Sequence, residues 1–228
     1  SAIDAYLKQN NKYNKSESKV TYQDIFDSLV LVTNCFSTQT SYENQTKKAI
    51  TNRFIQEAMT EFLKEGLEIY FIENKSEADK IAEQDRIKTE KAYAAVLDAE
   101  GYEDAPFDAA AFPTIDNIAK AEGDKGYVVT TTFSGAQGSI TMAVGVDTDY
   151  KCTGISIISH AETSGLGAKA ADQSEYGEWW RGQFVGQGDD VKLAKSGGAI
   201  DAITAATITS NAVAGAVAES IKAVESLG

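Results

Sequence analysis

Apolar and polar positions recur with two periods along this 228-residue chain, and each period implies a different kind of element. Val213, Val217, Ile221 and Val224 fall at helical spacing with polar residues between them, which predicts an amphipathic helix. Thr207, Thr209 and Ser210 stand where that helix begins and are expected as its N-cap and first turn. Three β-type runs precede it. Residues 126–133 are rich in β-branched and aromatic side chains; residues 139–146 follow a glycine-containing turn at 134–138; residues 152–159 follow a turn at 147–150. Strands joined by turns this short pair antiparallel, so the pattern predicts a β-meander. Helices packed on it give an α+β domain.

The first third of the chain reads differently. Residues 1–11 form a short helical candidate, 12–19 a lysine-rich polar loop, 29–36 a strand and 37–44 another polar loop. From residue 46, Ile50, Phe54, Ala58, Phe62 and Leu63 mark one face of a long helix, and helix-favouring residues run from 76 to 97. This is a mixed α/β fragment with a long helix. Residues 101–112 are acidic and Ala-rich, carry Pro106 and precede Pro113, and read as loop. Residues 189–198 are polar and glycine-rich, with a short strand candidate at Val191-Lys-Leu-Ala194. The aromatic run 175–184 can bury against the sheet or shield a bound ring.

Charge and composition remove several function classes. A formal net charge of −13 disfavours a nucleic-acid partner. No run of 18 apolar residues is present, so neither a membrane anchor nor a signal peptide is expected in this sequence. Cys35 and Cys152 form no metal-ligand cluster, and a single histidine leaves little material for a Ser-His-Asp triad. No self-contained catalytic constellation emerges.

The candidate chemistry lies at the helix start. On spacing alone 201–224 is a capped Ala-rich helix, although an N-terminus with free N–H groups and small side chains also suits a phosphate. The segment Asp201-x-x-Thr204-Ala205-Ala206-Thr207 resembles the flavinylation motif of the FMN-binding subunits of Rnf and Na+-pumping NADH:quinone reductase complexes. That family has Gly where this chain has Ala205, a change that matters if the backbone there needs positive φ. The resemblance implies FMN joined by a phosphoester to Thr207. It also implies that Asp201 and Thr204 are recognised by a flavin transferase or serve as local caps, with Ala206 beside them. A second stretch, His160-Ala-Glu-Thr-Ser-Gly-Leu-Gly167, resembles the same family's His-x-Glu-Thr-Pro-Gly-Leu-Gly, with Ser164 in place of Pro. It implies that His160, Glu162, Thr163, Gly165, Leu166 and Gly167 contribute to the flavin site. The expected function is an electron-carrying subunit of a membrane oxidoreductase, on the extracytoplasmic face of the bacterial plasma membrane. Other subunits and the transferase would be its partners.

Residues 1–84 resemble part of the transducer domain of the DNA gyrase B family, through Tyr22-Gln-Asp-Ile-Phe26, the strand after it and Tyr42-Glu-Asn-Gln-Thr-Lys47. In that family the lysine matching Lys47 reaches the γ-phosphate of ATP. The resemblance gives the alternative reading, a topoisomerase fragment, although no nucleotide-binding domain accompanies it. Two unrelated likenesses imply a chimera in which the first segment has replaced a membrane anchor. The expected division is 1–84, a helix and linker at 85–113, and an FMN-binding domain at 114–228.

Overall fold

The computed structural model describes Ala2–Gln9, Phe36 and residues 52–228. Its chain divides into two compact units, with a boundary between Ala82 and Glu83. In the first unit, α1 (Ala2–Gln9) buries Ile3, Tyr6 and Leu7 at helical spacing. The Tyr6 hydroxyl donates to the Phe71 carbonyl at 2.6 Å, and the two rings lie 5.5 Å apart. Phe71 belongs to α2 (Arg53–Glu73), whose buried residues are Ile55 and Phe71. The expected apolar face is corrected here: Phe54, Ala58 and Phe62 are exposed. The seat of Tyr6 on Phe71 sets which side of the helix turns inward. The strand expected at 29–36 and the Gln45-Thr46-Lys47 loop lie outside the described residues, apart from Phe36.

α3 (Lys75–Val96) follows a one-residue break at Asn74, whose amide side chain donates to the Tyr70 carbonyl at 2.9 Å. From Asp85 onward its buried positions recur at Asp85, Thr89, Ala92, Tyr93 and Val96, a single helical stripe.

The second unit is built on a five-stranded antiparallel sheet in sequential order: β1 (Tyr102–Asp104), β2 (Ile115–Ala121), β3 (Gly126–Ser134), β4 (Ser139–Val146) and β5 (Cys152–His160). The three strands predicted from the pattern are present within a residue of their expected ends. Two more extend the meander, and one of them, β1, lies in the expected loop 101–112. β2 escaped the pattern because Ile-Asp-Asn-Ile-Ala-Lys-Ala has little β propensity and takes its strand form from pairing with its neighbours.

Layers cover both faces of the sheet. On one, α5 (Thr207–Glu225) packs Val213, Val217, Ile221 and Val224 against Val129, Met142, Val144 and Ile155. Each such side chain contributes about 1.5–3 kcal/mol on burial. Trp180 and Phe184, edge-to-face at 5.2 Å, complete this core from α4 (Glu175–Gly182) and the turn after it. On the other face, Ala92, Tyr93 and Val96 of α3 meet Ala119, Val128 and Ala143. Small residues let this helix come close. A Cβ on Gly145 would collide with the Thr153 hydroxyl and the Val96 carbonyl, and those two groups are themselves hydrogen-bonded at 2.5 Å. The bond satisfies a carbonyl that the helix end would otherwise leave open. The strand candidate at 191–194 reduces to one bridge between Leu193 and Ile200. The bridge is parallel, and the loop between its residues passes through a 3-10 turn (Ala194–Ser196) that ends on Gly197 at φ +84°.

Candidate functional site

The two motifs meet at the N-terminal end of α5. His160 is the last residue of β5, and its Nδ1 accepts the Glu162 N–H at 3.2 Å, which turns the chain out of the strand. Thr163, Ser164, Gly165 and Leu166 follow as an exposed loop, with Gly165 at φ +76°. Gly167 then opens a 3-10 turn (Gly167–Ala170) and is buried. A Cβ on Gly167 would run into the Glu162 carboxylate and the Thr209 hydroxyl, so only glycine allows this approach. The Thr209 hydroxyl donates to Glu162 Oε2 at 2.5 Å, across 47 positions of sequence.

Glu162 is almost fully buried. Burial alone would raise its pKa, but the Gln137 N–H, the Thr209 hydroxyl and the Ala136 and Gly138 N–H groups together hold the carboxyl below its usual value.

The flavinylation-like segment alternates between buried and presented residues. Ile200, Ile203 and Ala206 point into the core, whereas Asp201, Thr204, Ala205 and Ile208 are exposed and Thr207 is half-buried. Ser210, fully buried, fixes the turn from inside. Its hydroxyl accepts the Ile203 N–H and donates to the Ala206 carbonyl, each at 2.9 Å. The expected caps are therefore corrected: the N-cap is Ala206, whose side chain cannot cap, while the Thr209 hydroxyl goes to Glu162 and the Ser210 hydroxyl to the turn at Ile203 and Ala206. The first backbone bond of the helix runs from Ser210 N–H to Ala206 O, leaving the amides of Thr207, Ile208 and Thr209 outside the ladder. Among the described residues, the Thr207 and Thr204 hydroxyls and the Asp201 carboxylate make no hydrogen bond.

Helix α4 holds both motifs, which the sequence did not reveal. Trp180 Nε1 donates to the Asp201 carbonyl and the Asp201 N–H donates to Gln183 Oε1, each at 2.8 Å. Arg181 donates to the carbonyls of Ala170 and Asp172 at 2.9 and 2.8 Å, just past the first motif. The aromatic run divides by role: Trp180 and Phe184 are buried, while Tyr176 and Trp179 stay partly exposed, Tyr176 beneath the Lys169 ammonium. Only the Glu-x-x-Glu-Trp-Trp-Arg pattern hinted at a short amphipathic helix here. A cleft of about 540 Å3 lined by Arg86, Tyr93, Tyr102 and Asp104 lies on the α3 face, away from both motifs.

This arrangement suits a phosphorylated planar group. It combines a free hydroxyl, unpaired amides at a helix N-terminus, a glycine cradle and the exposed apolar side chains of Leu166 and Ile208.

Comparison with known proteins points the same way. Residues 135–222 match the FMN-binding domain family, which begins at the β3–β4 turn and ends in α5. The G subunit of the ion-translocating oxidoreductase complex of Methanosarcina acetivorans is 42% identical over 94 residues, 40% of this chain and 47% of that protein. The G subunit of the proton-translocating ferredoxin:NAD(+) oxidoreductase complex of Clostridium ljungdahlii is 40% identical over 115 residues, 48% and 60% respectively. The G subunit of the ion-translocating oxidoreductase complex of Escherichia coli is 31% identical over 153 residues, covering 60% of this chain and 73% of that protein. The chain belongs to this G-subunit family. It spans about half the length of the first two relatives. Residues 1–97 of this G-family protein also match the DNA gyrase B family. Among solved structures, the C subunit of the Na(+)-translocating NADH-quinone reductase of Parabacteroides distasonis aligns with a TM-score of 0.43 at 19% identity, covering 61% of this chain and 82% of that one. No helix among the described residues is long and apolar enough to cross a membrane.

Proposed function

We propose that this chain is the flavin-bearing part of an electron-carrying subunit in an ion-translocating membrane oxidoreductase, with FMN esterified to Thr207. The observation that supports it most is the convergence of the two motifs through Gly167, Glu162 and Thr209, beside an unbonded Thr207 hydroxyl. FMN supplies the redox chemistry when bound, and the protein supplies attachment, orientation and tuning. Thr207 would hold the phosphate through its hydroxyl oxygen, and the amides of Thr207, Ile208 and Thr209, outside the helix ladder, would be available to its charge. Leu166 and Gly165, with Thr163 and Gly167, line the space next to it. His160 and Ala206 fix the backbone on either side. The exposed side chains of Asp201 and Thr204 are left for recognition by a flavin transferase. Attachment in trans would form the Oγ1–P bond and break the pyrophosphate bond of an activated flavin dinucleotide, releasing the other nucleotide as its monophosphate, with the hydroxyl proton passing to a base on the transferase.

The partners in this reading are the other subunits of the complex, and the location is the extracytoplasmic face of the plasma membrane. We propose the division 1–84, 85–113 and 114–228, with the first segment a chimeric addition. The division between the two compact units, which falls between Ala82 and Glu83, supports a junction near there.

Intact-protein mass spectrometry after co-expression with a flavin transferase tests the attachment. The expected result is a gain of one FMN phosphoester on the wild type and none on Thr207→Ala. An unmodified wild type would remove Thr207 as acceptor.

A further inference from the structure

The Glu162 carboxylate stands where the β3–β4 turn, the exit of β5 and the first turn of α5 come together. Oε1 accepts the Gln137 N–H at 3.0 Å, and the amides on either side of it, of Ala136 and Gly138, also act on the carboxylate. Successive amides converging on one anion form a nest, and here the occupant is a side chain of the same domain. Oε2 takes the Thr209 hydroxyl. A Cβ on Gly135 or on Gly167 would strike this carboxylate, so backbone closes it in from both sides. Both of its oxygens are thus engaged within the protein, one by the Gln137 N–H and the other by the Thr209 hydroxyl.

We propose that Glu162 is a positioning residue and not a cofactor contact: it latches the turn at 135–138 to helix α5, and so makes that turn a third wall of the site on Thr207. The inference rests on the FMN reading above. Ala136 and Gln137 carry exposed side chains on the turn, one carboxylate away from the Thr209 hydroxyl, and Thr209 lies two positions beyond Thr207. The Gln137 amide offers both a donor and an acceptor to a polar ring edge. Neither motif contains this residue.

The test uses the full chain loaded with FMN by a co-expressed transferase, as wild type, Gln137→Ala, Glu162→Gln, Thr209→Val and the Glu162→Gln/Thr209→Val double variant. Intact mass comes first, since an unloaded wild type overturns the FMN reading and with it this inference. With loading established, the readout is visible-region circular dichroism of the bound flavin, beside the melting temperature. Gln137→Ala is expected to keep the wild-type melting temperature and lose half or more of the flavin signal. Glu162→Gln and Thr209→Val are each expected to lose a similar share, and the double variant no more than either. Wild-type flavin signals in loaded Gln137→Ala and Glu162→Gln overturn the proposal, as does a loss of melting temperature in Glu162→Gln with no change in the signal. If Glu162→Gln does not fold, Gln137→Ala alone decides.

Discussion

Ala205 has φ +61°, in the left-handed region that L-residues other than Asn and Asp rarely enter. The flavinylation motif that this segment resembles has glycine there, and the positive φ suits it: the turn between Ile203 and Thr207 adopts that conformation with alanine in place. The strain is local, and Ser210 holds it in place through its bonds to Ile203 and Ala206. Ala205→Gly is therefore expected to stabilise the domain by about 1 kcal/mol, the usual relief at such a site net of the extra freedom glycine gains when unfolded. That corresponds to a rise of about 3 °C in melting temperature, measured by calorimetry. An unchanged or lower value would mean that the turn relaxes in solution. Cys152 is the opposite kind of residue. Burial pushes its thiol up to about 12, so it serves as a small apolar side chain at the start of β5 and stays unreactive at neutral pH.

At the scale of elements, the latch joins a turn, a strand end and a helix through one carboxylate, and its contribution depends on pH. The Glu162 pKa in the folded protein is depressed, so its stabilisation is complete above the ordinary glutamate value of about 4.3 and is lost as pH falls through the folded value. Urea titrations of wild type and Glu162→Gln should differ most at pH 7, with the gap closing progressively below about pH 4. A gap that stays constant with pH would assign the effect to shape and not to charge.

Other elements show how far local pattern reaches. α5 was legible because its apolar residues follow one period and face one core, and β3 to β5 because β-branched and aromatic residues run together between short turns. β1 was not, because Tyr-Glu-Asp has little β propensity and takes its strand form from pairing with β2. Both motifs were readable as motifs, but the supports beneath them were not. The bonds from Trp180 and Gln183 to Asp201 and from Thr209 to Glu162 join residues distant in sequence, and nothing in local composition announces them.

In the whole molecule, every strand of the sheet pairs with its neighbour in sequence, so hairpin closure needs only short loops. Helix α5 is different: it must dock across the finished sheet, and Glu162 ties down the end that carries Thr207. Docking of this kind is expected after the rate-limiting step, so that its contacts act on the rate of escape from the native state. Thr209→Val leaves a buried carboxylate short of one donor, at a cost of about 2 kcal/mol. Stopped-flow measurements should then show unfolding about 30-fold faster, with refolding within about twofold of wild type. Equal slowing of refolding would place α5 in the folding nucleus instead. With late docking, a hydrogen bond made by a side chain that touches no substrate becomes the clock of the flavin-bearing end, setting how long it survives before the helix lets go.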